Sequence, residues 1–386
     1  MASFISSLLP FGKADTLAMA LPSKNKQWAT GQDGLDNLKF TEGEVVEPKD
    51  GEVLVKIHAV SLNYRDTEVV MGEYTHHQSI KEASSLVPCS DMCGTVILSK
   101  SPKLKAGARV MSIFNQSHLT GQIKEEDLAS GLGLPLPGVL TEYRCFPAEA
   151  LVAVPSYLSD EEASCLPIAS VTAWMCINGG RPIGQPADGK KKQESVLLQG
   201  TGGVAVAGLQ IAKAAGLKAI ITSSSDDKLD RARKDLGADE GINYRTHWEW
   251  QDPVMKATSG RGADIIFETG GSRTLRKSFE SVAFGGLINC VGYLSGKEEE
   301  KQGDAAEGGK VGVSVLALRR NVTLRGILNG PKDRFEEMVA FYDKHKIRPV
   351  VCKVFELEKA NEAFKYLYSG GHFGKVVIRV AAKEDK

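Results

Sequence analysis

The stretch SVLLQGTGGVAVAGLQIAKAAG, residues 195–216, carries the fold class of this 386-residue chain. An apolar run of strand-forming residues meets the turn Gly200-Thr201-Gly202-Gly203-Val204-Ala205, and an alanine-rich helix follows at once. Gly200 permits the sharp turn off the strand, Gly202 lets backbone approach a pyrophosphate, and small Ala205 lets helix and strand pack closely. A phosphate would then face the unpaired N–H groups of the helix start. Gly200, Thr201, Gly202, Gly203 and Val204 are therefore candidate nucleotide contacts, with a plain glycine turn as the structural alternative.

Downstream, apolar runs of about five residues alternate with helical stretches, the rhythm of βαβ units. The runs SVLLQ, KAIITS, EGINY, ADIIFE, GLINCVG and NVTLRGI predict six parallel strands of a doubly wound Rossmann sheet. Helices are expected near 204–215, 226–236, 249–259, 274–283 and 334–344. The tip of the second strand bears on the cofactor. An NAD site places a carboxylate there, whereas this chain has Ser223, Ser224 and Ser225 with Lys228 beyond, groups suited to a 2′-phosphate. Asp226 and Asp227 argue the other way, unless they serve the helix dipole. NADPH is the expected cofactor.

Upstream, GEVLVKIHAV, GTVIL, ARVMSIF, VLTEYRCF and ALVAV are short β-like runs between turns, predicting a mainly β, partly barrel-like domain. Ser159 with Glu162 is a capping box, so a helix should begin there and run into SVTAW. The tail VVCKVFELEKANEAFKYLYSGGHFGKVVIRV exceeds what a nucleotide domain needs and is assigned to the first domain. The division is 1–160, completed by 346–386, for the substrate domain, and 161–345 for the Rossmann domain. RPIGQPADGKKKQE and SGKEEEKQGDAAEGGKVG read as exposed loops.

Composition narrows the partners. Lys plus Arg and Asp plus Glu balance at 48 each, leaving no net field for nucleic acid or an anionic membrane. Seven scattered cysteines without a CxxC pair imply a reduced, cytoplasmic protein. No apolar stretch approaches the roughly 20 residues that span a bilayer. A small-molecule substrate is expected.

SLNYRD, PCSDMCGTV, SVTAW, the glycine turn, DLGADEGINYR and HFGKVVIRV together resemble the medium-chain dehydrogenase/reductase superfamily, from about Leu17 to Val380. Within it the chain is similar to the zinc-free quinone-oxidoreductase and enoyl-reductase branches and to the proteins labelled zinc-type alcohol dehydrogenase-like. The resemblance implies a GroES-like catalytic domain beside the Rossmann sheet. It also implies where zinc ligands would lie: Asn63 stands at the cysteine position, Ser90 and Asp91 at the His-Glu pair, and 112–140 has no cysteine. Catalytic zinc needs three converging N, S or carboxylate ligands, so no metal is expected, and Cys89 and Cys93 are read as buried thiols.

The same resemblance implies that Tyr74 donates a proton and that Asn63 positions the acceptor or the nicotinamide ribose. Thr172, Tyr244, Gly270, Val291, Phe373 and Lys375 are implied cofactor contacts, each with a packing role as alternative. Hydride transfer to an activated C=C bond of an enone, quinone or enoyl thioester is the leading reaction. NADP-dependent alcohol or ketone redox is the second reading, and a nucleotide-binding protein without turnover the third. Relatives pair across their fifth and sixth Rossmann strands, so a homodimer is also implied. The unusual insertion at 296–312 belongs among the loops that would shape the pocket.

Overall fold

The computed structural model describes residues 21–75, 85–296 and 311–381. His76, His77, the first residues and most of the 296–312 segment lie outside these. In chain order the first region carries strands β1 (Lys24–Ala29), β2 (Lys39–Glu44) and β3 (Glu52–Leu62), helix α1 (Tyr64–Met71), and strands β4 (Asp91–Ser99) and β5 (Arg109–Ser112). Helix α2 (Glu125–Leu128), strands β6 (Tyr143–Pro147) and β7 (Leu151–Ala153), and helices α3 (Asp160–Ser164) and α4 (Val171–Asn178) follow. The second region alternates β8 (Ser195–Leu198), α5 (Gly203–Ala214), β9 (Lys218–Ser223), α6 (Asp226–Leu236), β10 (Glu240–Asn243), α7 (Gln251–Ala257) and β11 (Ala263–Glu268). It continues through α8 (Leu275–Ser281), β12 (Val282–Cys290), α9 (Val313–Arg320), β13 (Thr323–Gly326) and α10 (Lys332–His345). The chain closes with β14 (Val351–Glu356), α11 (Ala360–Tyr368) and β15 (Lys375–Arg379).

Six parallel strands lie in the order β10-β9-β8-β11-β12-β13, the two-half arrangement of a Rossmann sheet. All four residues of β8 are buried, as expected of a central parallel strand covered on both faces. Close helix contact is enforced at Gly208 of α5, where a Cβ would lie 2.6 Å from Phe267 and 2.8 Å from Leu198. Any larger residue there would push α5 off β8 and β11.

The other large sheet runs β14-β15-β3-β4-β5-β7, with β6 also on β3. The two strands at one end, β14 and β15, come from the tail, and β15 pairs antiparallel with β3 from Val376 opposite Leu62 to Arg379 opposite Ala59. Chain segments about three hundred residues apart thus meet beside Asn63. Val55, Ile57, Val60, Phe146, Phe364, Val376 and Ile378 pack in one core of this domain.

Four local readings change. The β1–β2 hairpin, KNKQWA with KFTEGE, escapes a hydrophobic pattern because its side chains are largely exposed; Trp28 anchors it by donating to the Leu357 carbonyl at 2.7 Å. Helix α9 stands directly after the hydrophilic segment and has no buried residue, so nothing in its pattern announces burial. The helix expected to 283 stops at Ser281, because Val282 and Ala283 are buried as the start of β12. The capping box is present, with Glu162 N–H donating to Ser159 Oγ at 3.2 Å and Ser159 N–H to Glu162 Oε2 at 2.9 Å, but the helix is broken by a wider turn at Leu166–Ser170 before α4.

Candidate functional site

The floor of the interdomain cleft is built where β3 runs into α1. Asn63 sits at the N-cap in extended conformation; its N–H donates to Asp66 Oδ2 at 2.8 Å, and the Asp66 N–H donates back to the Asn63 carbonyl at 2.9 Å. Asp66 is fully buried, and burial pushes its carboxyl up to about 6 against the opposing Arg65 guanidinium. The Lys375 ammonium donates to Asn63 Oδ1 at 2.6 Å and to the Leu62 carbonyl at 2.7 Å, and lies 3.8 Å from Asp91 Oδ2. Asp91 also accepts from Ser90 Oγ at 2.9 Å and from the Ile168 N–H at 3.2 Å. Burial raises its carboxyl above the ordinary range while Lys375 opposes the rise. Two buried cations, Arg65 and Lys375, thus face two buried carboxylates, Asp66 and Asp91.

This arrangement bears directly on a metal. At the positions where the family resemblance puts zinc ligands, Asn63 and Asp91 face the Lys375 ammonium and Ser90 donates to Asp91. Among the described residues no three His, Cys, Asp or Glu side chains converge as ligands would. The donor set does not fit zinc.

The opposite wall collects candidate nucleotide contacts along one edge of the parallel sheet. Gly200, Ser223, Tyr244, Gly270 and Val291 lie at or just beyond the C-terminal ends of β8, β9, β10, β11 and β12, the edge at which such sheets bind ligands. Gly200 has φ 80°, and a Cβ built on it would meet nothing within 4 Å. No side chain caps α5, whose N-cap is Gly202, so its first N–H groups face the cleft edge unsatisfied by a side chain. Thr172 on α4 is 2% exposed, and its Oγ1 has no hydrogen-bond partner among the described residues. Open glycine backbone, an uncapped helix start and an unsatisfied buried hydroxyl fit a dinucleotide.

At the adenosine end, Ser223 Oγ accepts from the Ser225 N–H at 3.3 Å, and Ser225 caps α6 by accepting from the Lys228 N–H at 3.4 Å. Ser224 lies between them at the tip. Asp226 accepts from Asn243 Nδ2 at 2.9 Å, so this acid is engaged with the neighbouring strand end. The Lys228 ammonium reaches the Gly370 carbonyl at 3.0 Å, and burial lowers its pKa. The Tyr244 N–H donates to the Ser223 carbonyl at 3.0 Å.

The tail crosses the glycine turn: the Gly374 N–H donates to the Thr201 carbonyl at 3.1 Å. Phe373 is buried, with the Arg231 guanidinium stacked 4.5 Å from its ring centre. The Lys375 stem passes Gly203, where a Cβ would lie 2.7 Å from Lys375 Cδ, and its ammonium is held by Asn63 and the Leu62 carbonyl at the cleft floor.

Three features escaped the sequence reading. His372, inside the same HFGK motif, places Nε2 3.8 Å from where a Gly202 Cβ would be, and its buried Nδ1 has no partner. Burial, with Lys228 and Lys375 adding to it, pushes this imidazole down to about 4. Glu268, 1% exposed at the end of β11, accepts from Gln199 Nε2 at 2.9 Å, from Ser278 and Thr274, and from the Gly270 and Gly271 N–H groups at 2.9 and 3.0 Å. It fixes the turn that carries Gly270. Tyr293, beyond Val291, donates to both oxygens of Glu68 on α1 at 2.9 and 3.0 Å, linking the two walls. The polar strand ends Gln199 and Glu268 were a visible signal; the Tyr293–Glu68 pair, 225 positions apart, was not.

Between the walls lies a small pocket lined by Arg65, Tyr74, Phe114, Asn115, Leu128 and Leu134 from the first domain, with Ile168 and Leu328 beside them. The Arg65 guanidinium packs against the rings of Tyr74 and Phe114, their centres 4.9 and 4.8 Å from Cζ. Asn63 and Tyr74 therefore belong to one floor, joined through the NYRD turn.

Residues 49–156 match the alcohol dehydrogenase GroES-like domain and residues 203–344 the zinc-binding dehydrogenase domain. A zinc-type alcohol dehydrogenase-like protein of Schizosaccharomyces pombe is 37% identical over 90% of this chain and 96% of its own length. A solved putative alcohol dehydrogenase from Sinorhizobium meliloti is 35% identical, with a TM-score of 0.81 over 93% of this chain and all of its own. A solved NAD-dependent alcohol dehydrogenase is 29% identical, with a TM-score of 0.77 over 92% of this chain and all of its own. The chain belongs to the medium-chain dehydrogenase/reductase superfamily, a family of NAD(P)-dependent oxidoreductases.

Proposed function

We propose that this oxidoreductase uses NADPH, without zinc, to reduce an activated C=C bond in a small enone, quinone or enoyl thioester. The observation that supports the reading is the Lys375 ammonium held by Asn63 Oδ1 and facing Asp91, two of the positions at which the family resemblance puts metal ligands. A carbonyl reduced at carbon needs strong polarisation of its oxygen, which zinc would normally supply. A conjugated alkene accepts hydride at its β-carbon with less help.

Bound NADPH supplies the hydride. The chain's own groups orient and shield: Gly200 and Gly202 cradle the pyrophosphate, Thr172 offers its unsatisfied hydroxyl, and Ser223, Ser224 and Lys228 take the 2′-phosphate. Tyr74, at the pocket wall against Arg65, supplies the proton. Incubation with NADPH and a panel of enones beside simple ketones tests the reaction; turnover of ketones alone would remove it. Tyr74→Phe should lower kcat about 10²-fold while leaving NADPH affinity unchanged, the scale of one lost acid catalyst.

Alcohol or ketone redox is the second reading, favoured by the alcohol dehydrogenase names of the solved relatives. One of those is named NAD-dependent, so a comparison of NADPH with NADH is the first measurement. A nucleotide-binding protein without turnover would bind NADPH and fail the whole panel. We also infer a homodimer through α9 and the edge strand β13, where Leu318 is 79% and Leu324 39% exposed. Sedimentation equilibrium at micromolar concentration should return twice the chain mass.

A further inference from the structure

We propose that Arg65 is an oxyanion-binding residue: its guanidinium holds the substrate's carbonyl oxygen in the interdomain pocket and stabilises the charge that develops there. The proposal deepens the enone reading above and rests on it for the identity of the reaction.

Arg65 has a side chain only 10% exposed, and its Nη1 is committed to Asp66 Oδ1 at 3.3 Å and the Leu132 carbonyl at 3.2 Å. Its Nε and Nη2 are buried and, among the described residues, have no hydrogen-bond acceptor in good geometry, although the Tyr74 hydroxyl also acts on the guanidinium. Leaving donors of a buried charged group unsatisfied costs about 1–3 kcal/mol or more, so an occupant that brings an acceptor oxygen is favoured. The rings of Tyr74 and Phe114 lie against the guanidinium, their centres 4.9 and 4.8 Å from Cζ, so the N–H groups that lack an acceptor are the part of Arg65 left for a ligand oxygen. The pocket that Arg65 lines is otherwise mostly apolar, with Phe114, Leu134, Ile168 and Leu328 on its walls. Hydrocarbon bearing one acceptor group suits it.

Charge balance selects a carbonyl over a carboxylate. Arg65 and Lys375 already face Asp66 and Asp91, so the buried floor is neutral before anything binds. A carboxylate would add an uncompensated charge to it. A neutral carbonyl would not, and preorganised donors strengthen their hold as charge moves onto the oxygen. In that step a hydride from the reduced nicotinamide forms a C–H bond at the β-carbon. The alkene pair becomes the new α-carbon double bond, and the carbonyl π pair moves onto oxygen as an enolate. Arg65 Nε–H and Nη2–H donate to that oxygen until a proton reaches the α-carbon and the carbonyl re-forms.

The test uses Arg65→Lys, which keeps the charge and loses the fork, and Arg65→Met. The probe is p-nitrophenol, whose phenolate oxygen mimics the enolate and whose colour reports ionisation. Wild-type protein should bind it and lower its apparent pKa. Both variants should abolish that shift while binding NADPH as wild type does, and Arg65→Lys should reduce enone turnover about 10²–10³-fold, the scale of one lost oxyanion donor. An unshifted p-nitrophenol on wild-type protein, or an equal shift on Arg65→Lys, overturns the proposal. An absence of enone turnover with the shift intact overturns the reaction and leaves the oxyanion site standing.

Discussion

The two walls of the cleft solve opposite problems. The floor around Asn63 is closed: Lys375, Arg65, Asp66 and Asp91 pair with one another out of water. The nucleotide edge is open, with Gly200 clear of neighbours, α5 uncapped and Thr172 Oγ1 unsatisfied. A closed ionic floor stabilises the fold only while every partner is present. An open edge contributes little to stability and keeps its donors for a ligand. Mutations should therefore split the same way, the floor reporting on stability and the edge on affinity.

The largest effect is expected at Lys375→Met, which leaves Asp91 buried without its cation. Urea denaturation should show a loss of about 3–5 kcal/mol; a loss under 1 kcal/mol would mean that the floor is not closed as described. Next, Gly202→Val fills the cradle at an edge with room for the side chain beside His372. NADPH affinity by fluorescence titration should fall at least about 10²-fold, or 2.7 kcal/mol, with the urea midpoint little changed.

A pH experiment sharpens the contrast at the domain junction. Asp160, at the start of α3, accepts from Arg109 Nη2 at 2.5 Å and Nε at 3.1 Å and lies 3.2 Å from His58 Nδ1. Burial alone would raise its carboxyl, but the hydrogen bonds from His58 and Arg109 outweigh it and hold it well below the usual range. The folded pKa lies below the unfolded one, so the stabilisation is present above about pH 4 and is lost as pH falls further. Asp160→Asn should cost about 1–3 kcal/mol at neutral pH, and the gap from wild type should narrow below pH 4; a gap constant with pH would contradict it. The smallest effect is expected at Lys228→Ala, which should weaken NADPH about tenfold relative to NADH, the worth of one exposed charge-assisted contact. Equal losses for both nucleotides would remove Lys228 from the phosphate site.

Much of the nucleotide wall was legible because its information is local. Strand, glycine turn and helix follow one another within 195–216, and the capping and packing rules act over a few residues. The strand tips Ser223, Tyr244, Gly270 and Val291 then fall on one edge as a consequence of parallel order. The hairpin Lys24–Glu44 and helix α9 were illegible, since neither buries a regular stripe.

The sequence by itself determined the alternation that builds the parallel sheet, the glycine cradle, and the residues Asn63, Ser90 and Asp91 standing where a metal would need other ligands. Only the tertiary structure decided what those residues do instead. β15 lies against β3, which brings Lys375 to Asn63 across 312 positions and makes its ammonium the cation of the floor. The same fold packs Arg65 against Tyr74 and Phe114 and, among the described residues, leaves two of its nitrogens without an acceptor in good geometry. Pairing of buried charges depends on distance and desolvation, and neither is written in the local order of residues.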